Sequence, residues 1–456
     1  MSFFKAYDMR GTFGTDFGPD DIYRAGLALP EVVGGTRWLV GRDARNSSPA
    51  VRDALVAGLR NAGAEIDDLG PCTTPMVYFF TAADGYDASA MVTASHNPPG
   101  DNGIKVSTRG AMPVGFASGL NRVEKRVAEL RSVRAPAGCG APDAKREDEA
   151  FRKEHFERYA AWHEKTVPSR SFVSLRFAVD CSCGMASLFA ERLFPGAAIL
   201  NGTADGNFPA HSPNPLNPEA RKPLADFVRR NELDCGVIFD GDADRAAFVD
   251  GDGNFVQPDF LIPCIAAECG AKSGDKVLCD VRTGRAVLEA LRAAGCEPVA
   301  TPVGHAFAKP AMRRNNAVCG GELAGHYYFR DFFFCDSGLL AARRILCAAA
   351  KAKAAGRSFR DMVEPVAGKY ANSGELNLRV DDKDAAAKRI VAAAERVLPP
   401  ERSRLEIDGV RVDYAEGWFC IRKSNTEPFL RLIAECDTAE RLAEWTALLQ
   451  DAALGG

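Results

Sequence analysis

One pattern recurs three times along this chain and limits what it can fold into more than any other feature. An apolar strand ends at an aspartate; a turn, an amphipathic helix, a glycine and a second apolar strand follow. The copies span residues 38–66, 177–200 and 277–300. In the first copy Val51, Leu55, Val56 and Leu59 share one side of the helix, the spacing of a face packed on a sheet. Units of this kind build parallel or mixed sheets covered by helices. At 456 residues the chain is too long for one core, and three or four domains are expected.

Turn-rich segments divide the units. Pro, Gly and charge gather at residues 132–148, VDGDGNFVQPD occupies 249–259, and GKYANSG lies at 367–373. The expected domains are 1–147, 148–251, 252–367 and 368–456. The last differs in kind. A strand ELNLRV, a helix at 383–397, short strands at 405–407, 410–413, 417–422 and 429–435, and a final helix make a smaller α+β domain. The expected fold is α/β with three related mixed-sheet domains and this C-terminal one.

Bulk properties exclude several classes. The net charge of −4 argues against a nucleic-acid surface. The N-terminal MSFFKAYDMRGTFG lacks the apolar run of a secretory signal, and no apolar stretch is long enough to span a bilayer. A cytoplasmic protein is expected. The 14 cysteines read mainly as small reduced core residues. The C-x-C pair Cys181 and Cys183 has no second cysteine pair nearby to complete a zinc site.

Four loops carry chemistry. In MVTASHNPPGDNGIKV (91–106) an apolar strand delivers Ser95, His96 and Asn97 to a Pro-Pro-Gly turn, with Lys105 ten residues after the serine. A serine held at a strand end can carry a phosphoryl group, and Lys105 would steady phosphate charge or shuttle a proton. A plain Asx-type turn is an equal reading of these residues alone. In CGVIFDGDADRAAFV (235–249), Asp240, Asp242 and Asp244 alternate. Carboxylates without thiols or imidazoles favour Mg²⁺ or Ca²⁺. The EF-hand spacing fails, with Arg245 and Gly251 where Gly and Glu belong. Arg245 suits a phosphate. The loop VCGGELAGHYYF (318–329) offers Glu322, Ala324 and His326 among glycines, alone a weak signal. The loop FCIRKSNTEPFLRL (419–432) collects Arg422, Lys423, Ser424, Asn425 and Thr426, a mix suited to an anion.

Taken together, TASHNPPGDNGIK, DGDADR, GELAGH and RKSNT resemble, in that order, the α-D-phosphohexomutases, and the resemblance covers essentially the whole chain. It implies a heart-shaped molecule of four domains around one cleft. It also implies a phosphorylated Ser95, Mg²⁺ held by Asp240, Asp242, Asp244 and the phosphoserine, and a hexose 1,6-bisphosphate that serves as intermediate and activator. Ser95, Lys105, Arg245, His305 and Arg10 then form the catalytic set. Glu322, Ala324 and His326 meet the sugar, and Arg422 to Thr426 meet its phosphate. Tyr7, His96, Asn97, Arg282 and Lys309 line the cleft. DGNFPAHSPNP (205–215) is similar to the family's interdomain segment. Leu323 sides with the mannose/glucose mutases, since phosphoglucosamine mutases carry Gln there. Ala324 replaces a serine that donates to a sugar hydroxyl. Arg282 replaces a lysine, and an arginine there cannot shuttle a proton. The expected activity is exchange of hexose 1-phosphate with hexose 6-phosphate, of mannose, glucose or both, in a monomer or dimer. Phosphoglucosamine mutase, an aspartate-nucleophile phosphatase and a calcium-binding module are the rivals.

Overall fold

The computed structural model describes residues 3–136, 149–423 and 429–455. The expected boundary at 147 therefore lies outside the described residues. The first three sheets follow one topology. In the first, Arg37–Arg42 lies between Glu65–Pro71 and Ala88–Val92, parallel to both, and Asp101–Thr108 returns antiparallel beside Ala88–Val92. In the second, Phe177–Asp180 lies parallel between Ala198–Leu200 and Cys235–Phe239, and Ala246–Asp250 returns. In the third, Lys276–Asp280 lies parallel between Glu297–Thr301 and Cys319–Gly321, and Tyr327–Phe329 returns. In each sheet the chain leaves the first strand on one side and the third on the other. Their carboxyl ends flank the point where strand order reverses, the place where open α/β sheets collect ligands.

The aspartates that close the repeated strands have one shared task. Asp43, Asp180 and Asp280 accept the backbone N–H two residues on, from Arg45, Ser182 and Arg282, at 3.0, 2.8 and 2.7 Å. These are Asx turns, which bend the chain away from the sheet edge. Asp250 does the same for Asp252 and Asn254, so DGDGN is a hairpin turn. That hairpin pairs Phe255–Val256 with the preceding strand, and the second sheet runs to Val256.

The second repeat departs from the expected amphipathic helix. Ser182 and Cys183 adopt left-handed backbone (φ 52° each), and only the 3₁₀ turn Met185–Leu188 and the single turn Ala190–Leu193 follow. With residues spent on the turn and Pro195 ahead, too few remain for a longer helix.

Burial ties the first three domains together. Phe79 on the helix Thr74–Ala83 stacks on Phe332 of the third domain (5.8 Å between ring centres) and meets Tyr159 and Trp162 edge-on or tilted. One apolar cluster runs through residues of all three. The C-terminal domain has its own core, with the helices Lys383–Val397 and Ala439–Leu454 packed on a sheet of six strands. The strand expected at 405–407 is Ser403–Leu405. That domain meets the third through Leu323, Val281, Trp418, Cys420 and Ile433. Arg411 lies 3.9 Å from the Trp418 ring and donates to the carbonyls of Val281 (3.0 Å) and Thr283 (2.6 Å). Arg411→Ala leaves those buried carbonyls unpaired at roughly 1–3 kcal/mol. We expect the C-terminal domain to unfold at lower temperature in calorimetry, and limited proteolysis to cut faster within residues 367–376.

Candidate functional site

Each of the first three sheets ends its third strand in a hairpin, and each hairpin carries one of the chemical loops: residues 93–100, 240–245 and 322–326. Ser95, Asp240 and Glu322 thus occupy matching places in three copies of one topology, and the packing of the copies faces the hairpins toward one another. Ser95 is buried and in left-handed backbone (φ 51°). Its Oγ donates to Asp240 Oδ2 at 2.8 Å and accepts from Arg245 Nη2 at 3.2 Å. Arg245 Nε also donates to Asp240 Oδ2 at 2.9 Å. The carboxylate loop is held by its neighbours' backbone. Thr74 N–H donates to Asp242 O, Gly338 N–H to Ala243 O, and Ala246 N–H to Gly325 O, each at 3.1 Å.

Asp240, Asp242 and Asp244 have no solvent exposure, and their oxygens lie within 4.8 Å of one another. Lys105 Nζ, from the first domain, contacts Asp242 at 2.8 Å and Asp244 at 2.5 Å. Burial alone would lower the Lys105 pKa, but these two carboxylates outweigh it and raise it. That shift favours Lys105 as a held positive charge over Lys105 as a proton shuttle. Burial, with Asp244 and Asp242 close by, pushes Asp240 up to about 7. Even with Lys105 and Arg245 present, the corner is short of positive charge. Asp242 Oδ1 and Asp244 Oδ1 are buried and have no hydrogen-bond partner among the described residues. Unpaired buried carboxylate oxygens in an all-oxygen set fit a hard divalent cation.

The third domain brings its hairpin to the same corner. His326 Nδ1 lies 2.8 Å from Asp336 Oδ2 and 3.8 Å from Asp244 Oδ1. Burial would lower the His326 pKa, but Asp244 and Asp336 raise it. Glu322 accepts from Tyr328 Oη (2.5 Å) and from the Gly304 N–H (3.2 Å), and burial raises its pKa. Ala324 is half-buried and presents only a methyl group. His305 is buried, and its Nδ1 has no hydrogen-bond partner among the described residues. Burial, then Lys309 and Lys105, hold it well below the usual histidine range, so it is neutral. Lys309 itself is fully buried, 2.9 Å from Asp336 Oδ1 and 3.2 Å from the centre of the Tyr78 ring. It stands behind His326, with Asp336 between them, and not at a solvent-facing wall.

The remaining expected site residues come from the first, third and C-terminal domains. Arg10 donates to Asn97 Oδ1 (3.1 Å) and pairs with Asp8 (2.5 Å). His96 Nδ1 lies 3.3 Å from Ser95 Oγ; burial, then Arg245 and Arg10, lower its pKa strongly. Tyr7 Oη donates to the carbonyl of Val303 at 3.1 Å. Ser424, Asn425 and Thr426 lie outside the described residues. The antiparallel strands Gly417–Lys423 and Phe429–Cys436 flank them. Arg422 is buried and contacts Asp408 Oδ2 at 2.8 Å, and the same oxygen accepts the Val303 N–H at 3.0 Å. Lys423 pairs with Asp384 on the surface (2.8 Å). Arg282 is bound to Asp280 (2.7 Å) and to Glu375 (2.9 Å), whose other oxygen holds Arg431 (2.8 Å). Asp336, Asp408, Glu375 and Thr74 escaped the reading of the sequence, since each lies outside any motif. The DG turn at Asp408 was the one available signal.

Comparison with known proteins shows the family. Residues 1–134, 154–253, 257–370 and 375–452 match, in turn, "Phosphoglucomutase/phosphomannomutase, alpha/beta/alpha domain I", domains II and III, and the C-terminal domain. The chain is 36% identical to "Phosphohexose mutases" of Xanthomonas campestris pv. campestris, covering 95% of this chain and 94% of that one. It is 33% identical to a phosphomannomutase of Escherichia coli over 96% of each. A solved phosphoglucomutase/phosphomannomutase family protein from Burkholderia thailandensis superposes with TM-score 0.83 at 29% identity, covering 100% of this chain and 98% of that one. Matched in all four domains and along nearly its whole length, the chain belongs to the phosphoglucomutase/phosphomannomutase family.

Proposed function

We propose that this hexose phosphate mutase, an isomerase, carries the transferring phosphate on Ser95. The observation behind this is the position of Ser95 Oγ, from the first domain, between Asp240 and Arg245 of the second, at 2.8 and 3.2 Å. A serine used only as a turn residue would not be aimed into a buried ion cluster of another domain. The phosphatase rival leaves Ser95 and the fourth loop without tasks, and the calcium-module rival leaves Arg245, His305 and the phosphate loop unexplained.

In this reading a free hydroxyl of a bound hexose phosphate attacks phosphoserine. The Ser95 Oγ–P bond breaks, its electron pair returns to Oγ, and a P–O bond to the sugar forms. His305, neutral and with Nδ1 unpartnered, takes the hydroxyl proton. The resulting 1,6-bisphosphate turns in the cleft; Ser95 Oγ attacks its other phosphate, the P–O bond to the sugar breaks, and the sugar oxygen takes back the proton held by His305. Arg245 and Lys105 offset charge on the transferring group, and Arg10 orders the serine loop through Asn97. Asp240, Asp242 and Asp244, with the phosphoserine, would hold Mg²⁺, which supplies charge neutralisation at the reacting phosphate when bound. Glu322 and His326 face the sugar hydroxyls, and Arg422 with residues 423–426 grips the phosphate that does not react. Mannose and glucose are the sugars this reading favours.

Three outcomes test it. Ser95→Ala should abolish turnover and remove the phosphate adduct seen by intact-protein mass spectrometry; full activity in that variant would sink the carrier role. EDTA-treated protein should lose most of its turnover and regain it with Mg²⁺ better than with Ca²⁺, because the smaller ion demands near-octahedral geometry; equal rates with and without EDTA would contradict the metal assignment. Arg422→Ala removes a charge-assisted phosphate contact worth roughly 1.5–3 kcal/mol, so kcat/KM should fall by about one to two decades. The loss should be similar from hexose 1-phosphate and from hexose 6-phosphate, whereas a loss in one direction only would mean separate phosphate sites.

A further inference from the structure

Beneath the serine loop lies a guanidinium to which the reaction as described assigns no task. Arg45, at the end of the strand Arg37–Arg42, is wholly buried. Its five N–H groups meet five acceptors. Nε donates to Asp43 Oδ2 at 3.1 Å. Nη1 donates to the carbonyls of Pro98 (2.5 Å) and Asp101 (3.0 Å), and Nη2 to those of Ser95 (2.8 Å) and Asn97 (2.7 Å). One side chain thus gathers four carbonyls of a loop that belongs to a different strand. Arginine alone offers five donors in one rigid plane.

Ser95 is held from its other side as well. Its N–H donates to Thr93 Oγ1 at 2.9 Å, and Thr93 Oγ1 donates to Asp43 Oδ2 at 2.7 Å. Asp43 therefore anchors both grips. Left-handed backbone is unfavourable for a serine and persists only where its surroundings impose it. The second domain supports the same device. Phe208 places its ring 5.1 Å from the Arg45 guanidinium, and the backbone of Gly241, next to Asp240, fits between that ring and the Ser95 carbonyl. A Cβ on Gly241 would stand 2.6 Å from Ser95 O and 3.4 Å from the ring.

We propose that Arg45 is a positioning residue for phosphoryl transfer: with Thr93, it imposes the backbone conformation of Ser95 that aims Oγ at Asp240 and Arg245. The role rests on Ser95 as the phosphate carrier and adds to it the group that sets the carrier's direction. Arg45 touches neither sugar nor phosphate, so its loss should act on the transfer step and spare substrate binding.

Arg45→Lys keeps the charge and supplies three donors in place of five. Misplacement of a reacting atom by about 1 Å costs about 10²-fold, so kcat should fall by that order while KM for hexose 1-phosphate changes by less than about threefold. The rate at which hexose 1,6-bisphosphate phosphorylates the dephosphorylated enzyme, followed by intact mass, should fall with kcat. Thr93→Val should show the same pattern more weakly. Wild-type kcat in Arg45→Lys overturns the proposal, as does a loss that vanishes when rates are scaled to the folded fraction from near-UV circular dichroism, or one confined to KM. If Arg45→Lys does not fold, Thr93→Val decides, and unchanged kcat there rejects the paired grip. Ser95→Ala separates the two readings: an inactive Ser95→Ala beside a fully active Arg45→Lys removes only the role of Arg45, whereas an active Ser95→Ala removes the carrier itself.

Discussion

The structure depends on three carboxylates that share a corner closed to water. Asp240, Asp242 and Asp244 are fully buried, and a lone buried charge is far too costly to keep ionised. Their own domain supplies one cation, Arg245. The rest of the compensation crosses domain boundaries: Lys105 and the hydroxyls of Ser95 and Thr74 come from the first domain, and His326 approaches from the third. The corner is electrostatically tolerable only when three domains are packed as they are. The common apolar cluster around Phe79, Tyr159 and Phe332 gives that packing its non-polar half. The fit of the corner to a divalent cation and the closeness of the domains thus trace to one charge imbalance.

The repeated topology explains how three separate loops come to one place. The third strand of each of the first three sheets ends beside the reversal of strand order, and the next connection is a tight hairpin. A hairpin at that point has few ways to turn, so residues at its tip are delivered reproducibly. The three copies share a sheet plan and differ in what the hairpin carries: Ser95 in the first, three carboxylates in the second, Glu322 and His326 in the third. The C-terminal domain, with a different sheet and a core of its own, meets the others through a narrower seam at Trp418 and Arg411.

Much of this was legible in the sequence because its determinants are local. Strands that end at Asp43, Asp180 and Asp280, the helical face of Val51 to Leu59, and the segments around Ser95 and Asp240 each announce themselves within about fifteen residues, the scale on which periodicity and turn chemistry act. What stayed hidden depends on partners distant along the chain. Asp336 matters because Lys309 and His326 reach it, Asp408 because Arg422 and the Val303 N–H do, and Arg45 because four carbonyls of another strand's loop fold over it. Apart from the DG turn at Asp408, the residues around them do not record those meetings. The short second helix was misjudged for a related reason. Ser182 and Cys183 take left-handed backbone that neither residue favours, and partners distant along the chain hold the bend: Cys183 N–H donates to Asn201 O, Met185 N–H donates to Gly241 O, and Gly184 packs on the Gly241 backbone.

The contact between Asp408 and Arg422 carries one more consequence. In this structure the guanidinium assigned to the non-reacting phosphate already holds an anion, a carboxylate tethered to the same polypeptide and steadied by the Val303 N–H. Any visiting anion must outbid that resident. A monovalent ion such as chloride or acetate offers no more charge than Asp408 and lacks its tether, while a phosphate monoester brings nearly two charges and three acceptor oxygens. If Arg422 takes that phosphate, as proposed, the pair would favour a doubly charged ligand over a singly charged one.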